Sequence, residues 1–372
     1  MARLTARRGY SLSTKPADAA RELRAAIDQP GMRVVLLFCS PSYDLSELGA
    51  AIRSEFACPV IGCTSAGQIG PTGYQPGGIA GASLASDELE VHSYLVSPLS
   101  RCRDQAHEVA AHVKAKLRGA PASRRAFGLI LVDGLSLAEE ALTSTLYQSL
   151  GNVPIVGGSA GDDLRFESTA VYWEGEFLPG VAVFSVFETT LPFRTFKLHD
   201  FRPTDKKLVT TASDPSRRLV KEMNGFPAAD AYAELIGIPW EELNPKLFSR
   251  NPMMLRIGSD YYLRSIQTVN PDRSLTFYAA IEEGLVLRLG QAIEPISALA
   301  KGFEEGTQGL GTPSLIIGCD CVLRRLSLES RSLDGQVGTT LAASNVIGFN
   351  TYGEQFNSVH VNQTFAGIAL GG

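Results

Sequence analysis

The chain has 372 residues, 44% hydrophobic and 20% charged, which describes a globular protein with room for two or more domains. A net charge of −5 gives no electrostatic ground for a nucleic-acid or anionic-membrane partner. No run approaches the roughly 18 apolar residues that cross a bilayer, and no apolar run follows the basic Met1–Arg8, so the expected location is the cytoplasm. The six cysteines sit mostly in apolar runs, which suits reduced thiols rather than a disulfide frame.

An amphipathic helix is predicted over Ala17–Ile27, broken by Asp28-Gln-Pro-Gly31. Arg33–Cys39 is continuously apolar and reads as a strand buried on both faces. Leu45, Leu48, Ile52 and Phe56 have helical spacing. Pro59–Gly67 is a second strand running into a turn of small residues. Gly77–Leu84 and Leu89–Leu95 are two more strands, and Asp104–Leu117 is a helix.

The pattern then recurs. Phe127–Asp133 matches the first strand, Glu139–Leu150 the helix, and Val153–Asp162 the strand and turn. Cys39 and Asp133 lie 94 residues apart, as do Ser65 and Ser159. Equal offsets at two landmarks indicate a duplicated β-α-β unit. The fold class is therefore α/β. A duplicated N-terminal domain with mixed sheets spans 1–215, its repeats at about 30–100 and 125–200. An α+β domain follows over 216–372, with the boundary in the polar stretch Asp200–Pro215.

In that second domain Arg217–Met223 and Ala228–Ile236 are predicted helices. Met253–Gly258, Tyr261–Ile266 and Leu275–Ala280 form a predicted meander. Ile293–Phe303 is a helix, Ser314–Cys321 a strand, and Leu323–Leu333 a helix weakened by its serines. From Val359, a period of two places Val359 and Val361 on one face and His360, Asn362 and Thr364 on the other. Such a polar row reads either as a wet edge strand or as the wall of a small-molecule pocket.

Four pieces carry a family resemblance: Val60–Gly67, Pro154–Asp162, Met254–Gly258 and Gly348–Gln355. They resemble the paired FIST-N and FIST-C domains of bacterial signalling. The resemblance implies a non-catalytic sensor of a small ligand, with amino acids proposed for the family. The stand-alone layout, with His360 beside Asn362-Gln363-Thr364, is most similar to the nitric-oxide-sensing branch. That branch implies haem b as cofactor and a histidine kinase or cyclic-di-GMP enzyme as partner; a homodimer is left open.

Haem iron needs an axial donor. His107 and His112, five apart on one predicted helix, do not share a face. His92 reads as a solvent-face residue, and His199 lies near the boundary. His360, between Val359 and Val361, is the expected axial ligand. Tyr352, Glu354 and Asn362 are the companion pocket residues. Arg256 and Arg264 are candidates for haem propionates or an amino-acid carboxylate. The alternative is a haem-free metabolite sensor, in which Glu354 and an arginine hold a zwitterion. Gly157-Gly-Ser-Ala-Gly161 also fits the nucleophile-elbow spacing around Ser159, but no helical run follows it. Cys319 and Cys321 flank Asp320, without a second cysteine pair to complete a zinc set.

Overall fold

The computed structural model describes residues 3–119, 121 and 123–372. By contacts the chain forms two compact units. The larger comprises residues up to Leu198, Ala300–His360 and Phe365–Gly372; the smaller comprises His199–Leu299 and Val361–Thr364.

The larger unit opens with β1 (Thr5–Ser11) and α1 (Pro16–Ile27), whose Ala19, Ala20, Leu23 and Ile27 face inward. The first apolar run is β2 (Met32–Cys39). Helix α2 (Leu45–Glu55) starts where the Asp44 carboxylate accepts the Ser46 and Glu47 amides. It returns the chain to β3 (Val60–Thr64), parallel to β2, with Cys39 opposite Thr64. A short hairpin follows, β4 (Gln68–Gly70) and β5 (Gly73–Gln75). Then β6 (Ile79–Ala85) lies antiparallel to β2, and β7 (Leu89–Val96) leads into α3 (Cys102–Arg118).

The second copy repeats this: β8 (Arg125–Val132), α4 (Glu139–Leu150) and β9 (Ile155–Ser159), parallel to β8. A hairpin, β10 (Val171–Trp173) and β11 (Glu176–Leu178), precedes β12 (Ala182–Thr189) and β13 (Phe193–His199). The structural register is one residue off the equal sequence offsets. Val132 lies opposite Ser159 as Cys39 lies opposite Thr64, so Ser159 corresponds to Thr64 rather than Ser65. A one-residue slip exchanges the two faces of a strand, so the correction decides which side chains are equivalent.

The smaller unit contains β14 (Phe201–Asp214), β15 (Leu219–Met223), β16 (Phe226–Pro227), α5 (Ala228–Ile236), α6 (Pro245–Arg250), β17 (Met253–Ile257), β18 (Asp260–Arg264), β19 (Ile266–Val269), β20 (Leu275–Phe277) and β21 (Val286–Ala292). The helix expected over 217–223 is instead strand β15, because Leu219–Met223 pairs with both β14 and β20. Its core gathers Val220, Met223, Tyr232, Phe248 and Phe277.

After α7 (Pro295–Gly306), a third copy appears that the sequence reading left unrecognised. It consists of β22 (Leu315–Cys321), α8 (Val322–Glu329), α9 (Asp334–Ala343) and β23 (Val346–Thr351), parallel to β22. Its hairpin is β24 (Glu354–Phe356) and β25 (Val359–Val361), and β26 (Thr364–Leu370) closes antiparallel to β22. The sequence assigns all of 216–372 to one domain; by contacts most of 300–372 joins the larger unit.

Three six-stranded sheets result, in the orders β1-β6-β2-β3-β10-β11, β25-β24-β9-β8-β12-β7 and β13-β26-β22-β23-β4-β5. Each takes its centre from one copy and its hairpin from another. The first copy lends its hairpin to the third, the second to the first, and the third to the second. The lent hairpin covers a strand edge that would otherwise be open. The inner faces share one core, with Phe38 stacked on Phe349 at 4.5 Å.

Candidate functional site

The second strands of the three copies meet at their carboxyl ends. The Ala66 amide donates to the Asn350 carbonyl (3.0 Å), Gly161 to Thr64 (3.1 Å) and Tyr352 to Ser159 (3.3 Å). This closed ring makes Thr64, Ser159 and Asn350 equivalent. Gly62, Gly157 and Gly348 precede them by two residues. A Cβ at these positions would drive into the carbonyl oxygens of Leu37, Ile130 and Gly318 respectively. Glycine is thus required wherever a parallel pair approaches the ring.

Beside the ring is an open pocket of about 250 Å³ to which every copy contributes. Ala66, Gly67, Pro76 and Gly77 come from the first, Asp163 and Leu164 from the second, and Val322, Arg325, Leu326 and Glu329 of α8 from the third. Ligands in α/β proteins favour such positions beyond the carboxyl ends of strands. Arg325 is fixed on two sides: Nη1 donates to Asn350 Oδ1 (3.0 Å) and the Ala66 carbonyl (3.4 Å), and Nε donates to Glu329 (2.8 Å). Its Nη2 makes no hydrogen bond among the described residues. Gly67, at φ +127°, has no Cβ to block this guanidinium.

Among the described residues, Asp163 accepts a hydrogen bond only from the Ser40 hydroxyl (3.4 Å). Burial pushes its carboxyl above the usual range, although Ser40, Arg165 and Arg325 pull it back. The adjacent Asp162 behaves oppositely. Burial would raise it, but the Tyr352 hydroxyl and the Ser168, Glu167 and Phe166 amides outweigh burial and hold it low.

A second polar place lies between the sheet that contains β8 and β9 and helix α4. Ser159 Oγ donates to Glu139 (3.5 Å) and accepts from Gln355 Nε2 (3.0 Å). The same Nε2 faces His360 Nδ1 at 3.2 Å and the Gly353 carbonyl at 3.2 Å. Gln355 is fully buried, yet its Oε1 has no hydrogen-bond partner among the described residues.

The expected site residues do not converge as one set. His360 belongs to this second place. Tyr352 lies at the ring, where its hydroxyl bonds Asp162 and accepts the Leu164 amide (2.9 Å). Glu354 is one residue from Gln355 and so faces the opposite side of β24, where its charge helps raise the Cys319 thiol after burial. Asn362 does not continue the strand of His360. The strand ends at Val361, and Asn362 is fully buried in the turn before β26. Arg256 and Arg264 belong to the smaller unit: Arg256 is exposed, with Nε on the Gly258 carbonyl (3.0 Å), and Arg264 is buried. Arg325 and Asp163 escaped the sequence reading. Helix α8 starts directly after β22, whereas a loop separates β2 from α2 and β8 from α4, so the first two copies carried no signal for Arg325.

The FIST N domain model matches residues 33–225 and the FIST C domain model residues 228–357. The chain belongs to the FIST family. FIST proteins are sensory proteins of signal transduction that respond to small ligands. An uncharacterized protein of Methanocaldococcus jannaschii is 26% identical over 167 residues, 43% of this chain. The match covers 31% of that relative's length. A cyanuric acid hydrolase from A. caulinodans aligns with a TM-score of 0.28 and 14% identity, over 50% of this chain and 71% of the other. Among the described residues of this FIST protein, no helix is long and apolar enough to cross a membrane. Nor, among them, do three or more His, Cys, Asp or Glu side chains group closely enough to hold a metal.

Proposed function

We propose that this FIST protein is a haem-free sensor of a small zwitterion of the amino-acid class. The supporting observation is the 250 Å³ pocket lined by both Arg325 and Asp163. The unspent edge of the guanidinium suits a carboxylate, and the ionised Asp163 suits an ammonium. Pro76, Leu164 and Leu326 leave a short apolar wall for a side chain. Binding there draws on elements of all three copies, so a ligand that favours one arrangement of them shifts the population. The output passes to a separate cytoplasmic partner, a histidine kinase or a cyclic-di-GMP enzyme.

The surroundings of His360 do not fit haem. The ring faces Gln355 through Nδ1 and packs over Gly353 so closely that a Cβ there would collide with Cε1 and Nε2. A polar amide and a backbone occupy the space a porphyrin face requires, so nitric-oxide sensing through iron is not assigned to these residues. Hydrolysis at Ser159 is disfavoured too. The amide after a nucleophile serves an oxyanion hole, but Ala160 N–H is spent on the Val132 carbonyl at 2.7 Å.

A thermal-shift screen of L-amino acids tests the proposal. Selective stabilisation of the wild type is expected, lost in Arg325→Ala and in Asp163→Asn. A flat screen, together with a Soret band that disappears in His360→Ala, would replace this reading with haem binding.

A further inference from the structure

The pocket wall formed by Asp163 and Leu164 continues into a segment with an unusual backbone. Asp163, Leu164 and Phe166 have φ of 56°, 63° and 56°, so three of four consecutive residues are left-handed without being glycine. Such conformations persist only when their surroundings hold them, and they gather at switch regions. The hold here is specific. The Asp162 carboxylate accepts the amides of Phe166 (2.9 Å), Glu167 (2.7 Å) and Ser168 (2.9 Å). The Tyr352 hydroxyl accepts those of Asp162 (3.2 Å) and Leu164 (2.9 Å). Phe166 stacks on Tyr352 at 4.6 Å, yet stays 42% exposed.

We propose that residues 162–168 form a two-state strap that reports occupancy of the pocket at the surface. The inference rests on reading that pocket as the sensing site. In one state the strap is anchored on Asp162 and Tyr352, with Asp163 presented to the pocket. In the other the left-handed turn relaxes and the anchor breaks. A cation held by Asp163 favours the anchored state, because only that state presents the carboxylate. Phe166, on the outer side of the anchor, carries the change to a partner.

Hydrogen exchange at the Phe166, Glu167 and Ser168 amides tests this, because those N–H groups are the anchor itself. An L-amino acid that raises the melting temperature is expected to slow their exchange about tenfold. A thermal shift with unchanged exchange at these amides overturns the strap. A second comparison needs no ligand. Leu164→Gly relieves the left-handed strain, whereas Leu164→Ala keeps it and removes the same side chain. The glycine variant is expected to exchange several-fold more slowly than the alanine variant. Equal rates overturn the strap whatever the screen shows. A flat ligand screen with slowed exchange in Leu164→Gly keeps the strap and discards the pocket assignment.

Discussion

Two equivalent places in the larger unit have diverged in chemistry. Each lies between a sheet and its helix, at the second strand of a lent hairpin. In the third copy's sheet the hairpin residue is Tyr74, which donates to Asp320. Arg324 pairs with the same carboxylate at 2.9 Å, and Arg325 reaches Asn350. In the second copy's sheet the hairpin residue is His360, beside the neutral Gln355 and Ser159, and Val132 stands where Asp320 would. The corresponding residue in the first copy's sheet is Phe177, packed in an apolar cluster with Tyr172. One frame therefore holds an ion pair, a hydrogen-bonded chain and an apolar cluster at the same address. The strand pairing is set by the backbone and by the three glycines at the ring. The side chains beneath are free to specialise, and only the charged place extends an arginine into the pocket.

The largest effect is expected where a buried ion pair is broken. Asp320→Ala removes the acceptor of a wholly buried Arg324 and of Tyr74. A loss of about 3–5 kcal/mol in urea unfolding is expected. A loss below about 1 kcal/mol would mean that the ion pair does not seat the lent hairpin. The second place should be more tolerant. Gln355→Leu gives up the bonds to Ser159 and His360 but also removes an acceptor with no partner among the described residues, so about 1–2 kcal/mol is expected. A cost equal to that of Asp320→Ala would erase the distinction between the two places.

Much of this frame was legible in the sequence, and the illegible parts have physical reasons. The continuous apolar run of β2 and the helical spacing of α2 are local signals, and they recur in β8 and α4. The third copy carries the same mark, Val346-Ile-Gly348 against Val60-Ile-Gly62 and Ile155-Val-Gly157. It went unrecognised because the smaller unit interrupts the chain between the second and third copies and breaks the even spacing. The polar row from His360 misled for a different reason. A period of two holds only while the chain stays extended, and Gln363 at φ 50° turns it. The pocket was the least legible feature. Arg325 meets Ala66 across 259 residues, and Asp163 joins them from the second copy. No local pattern records a meeting of three copies. The glycines that permit it do stand in the sequence, but their purpose shows only when the partner carbonyls are in place.

The smallest expected effect separates two adjacent carboxylates and tests whether the charged place reaches into binding. Burial raises Asp163, so folding disfavours its ionised form. It adds nothing to stability below the unfolded pKa and costs stability above its folded one. An ammonium ligand needs that ionised form, so affinity should begin to fall on acidification above the ~3.9 of an ordinary aspartate. Asp162 has the opposite sign. Its depressed pKa stabilises the fold above the unfolded value, and that contribution is lost only as pH drops through the lower, folded value. Ligand affinity should therefore decline first, with the anchor of residues 162–168 still intact, and the anchor should loosen only at lower pH. Calorimetric titration with the amino acid that gives the largest thermal shift reads the first step, and amide exchange at Phe166–Ser168 reads the second. In Asp163→Asn the first step should vanish while the second stays in place. If both steps move together, the two carboxylates titrate as one unit, and Asp163 is a strut of the strap rather than the ligand's counter-charge.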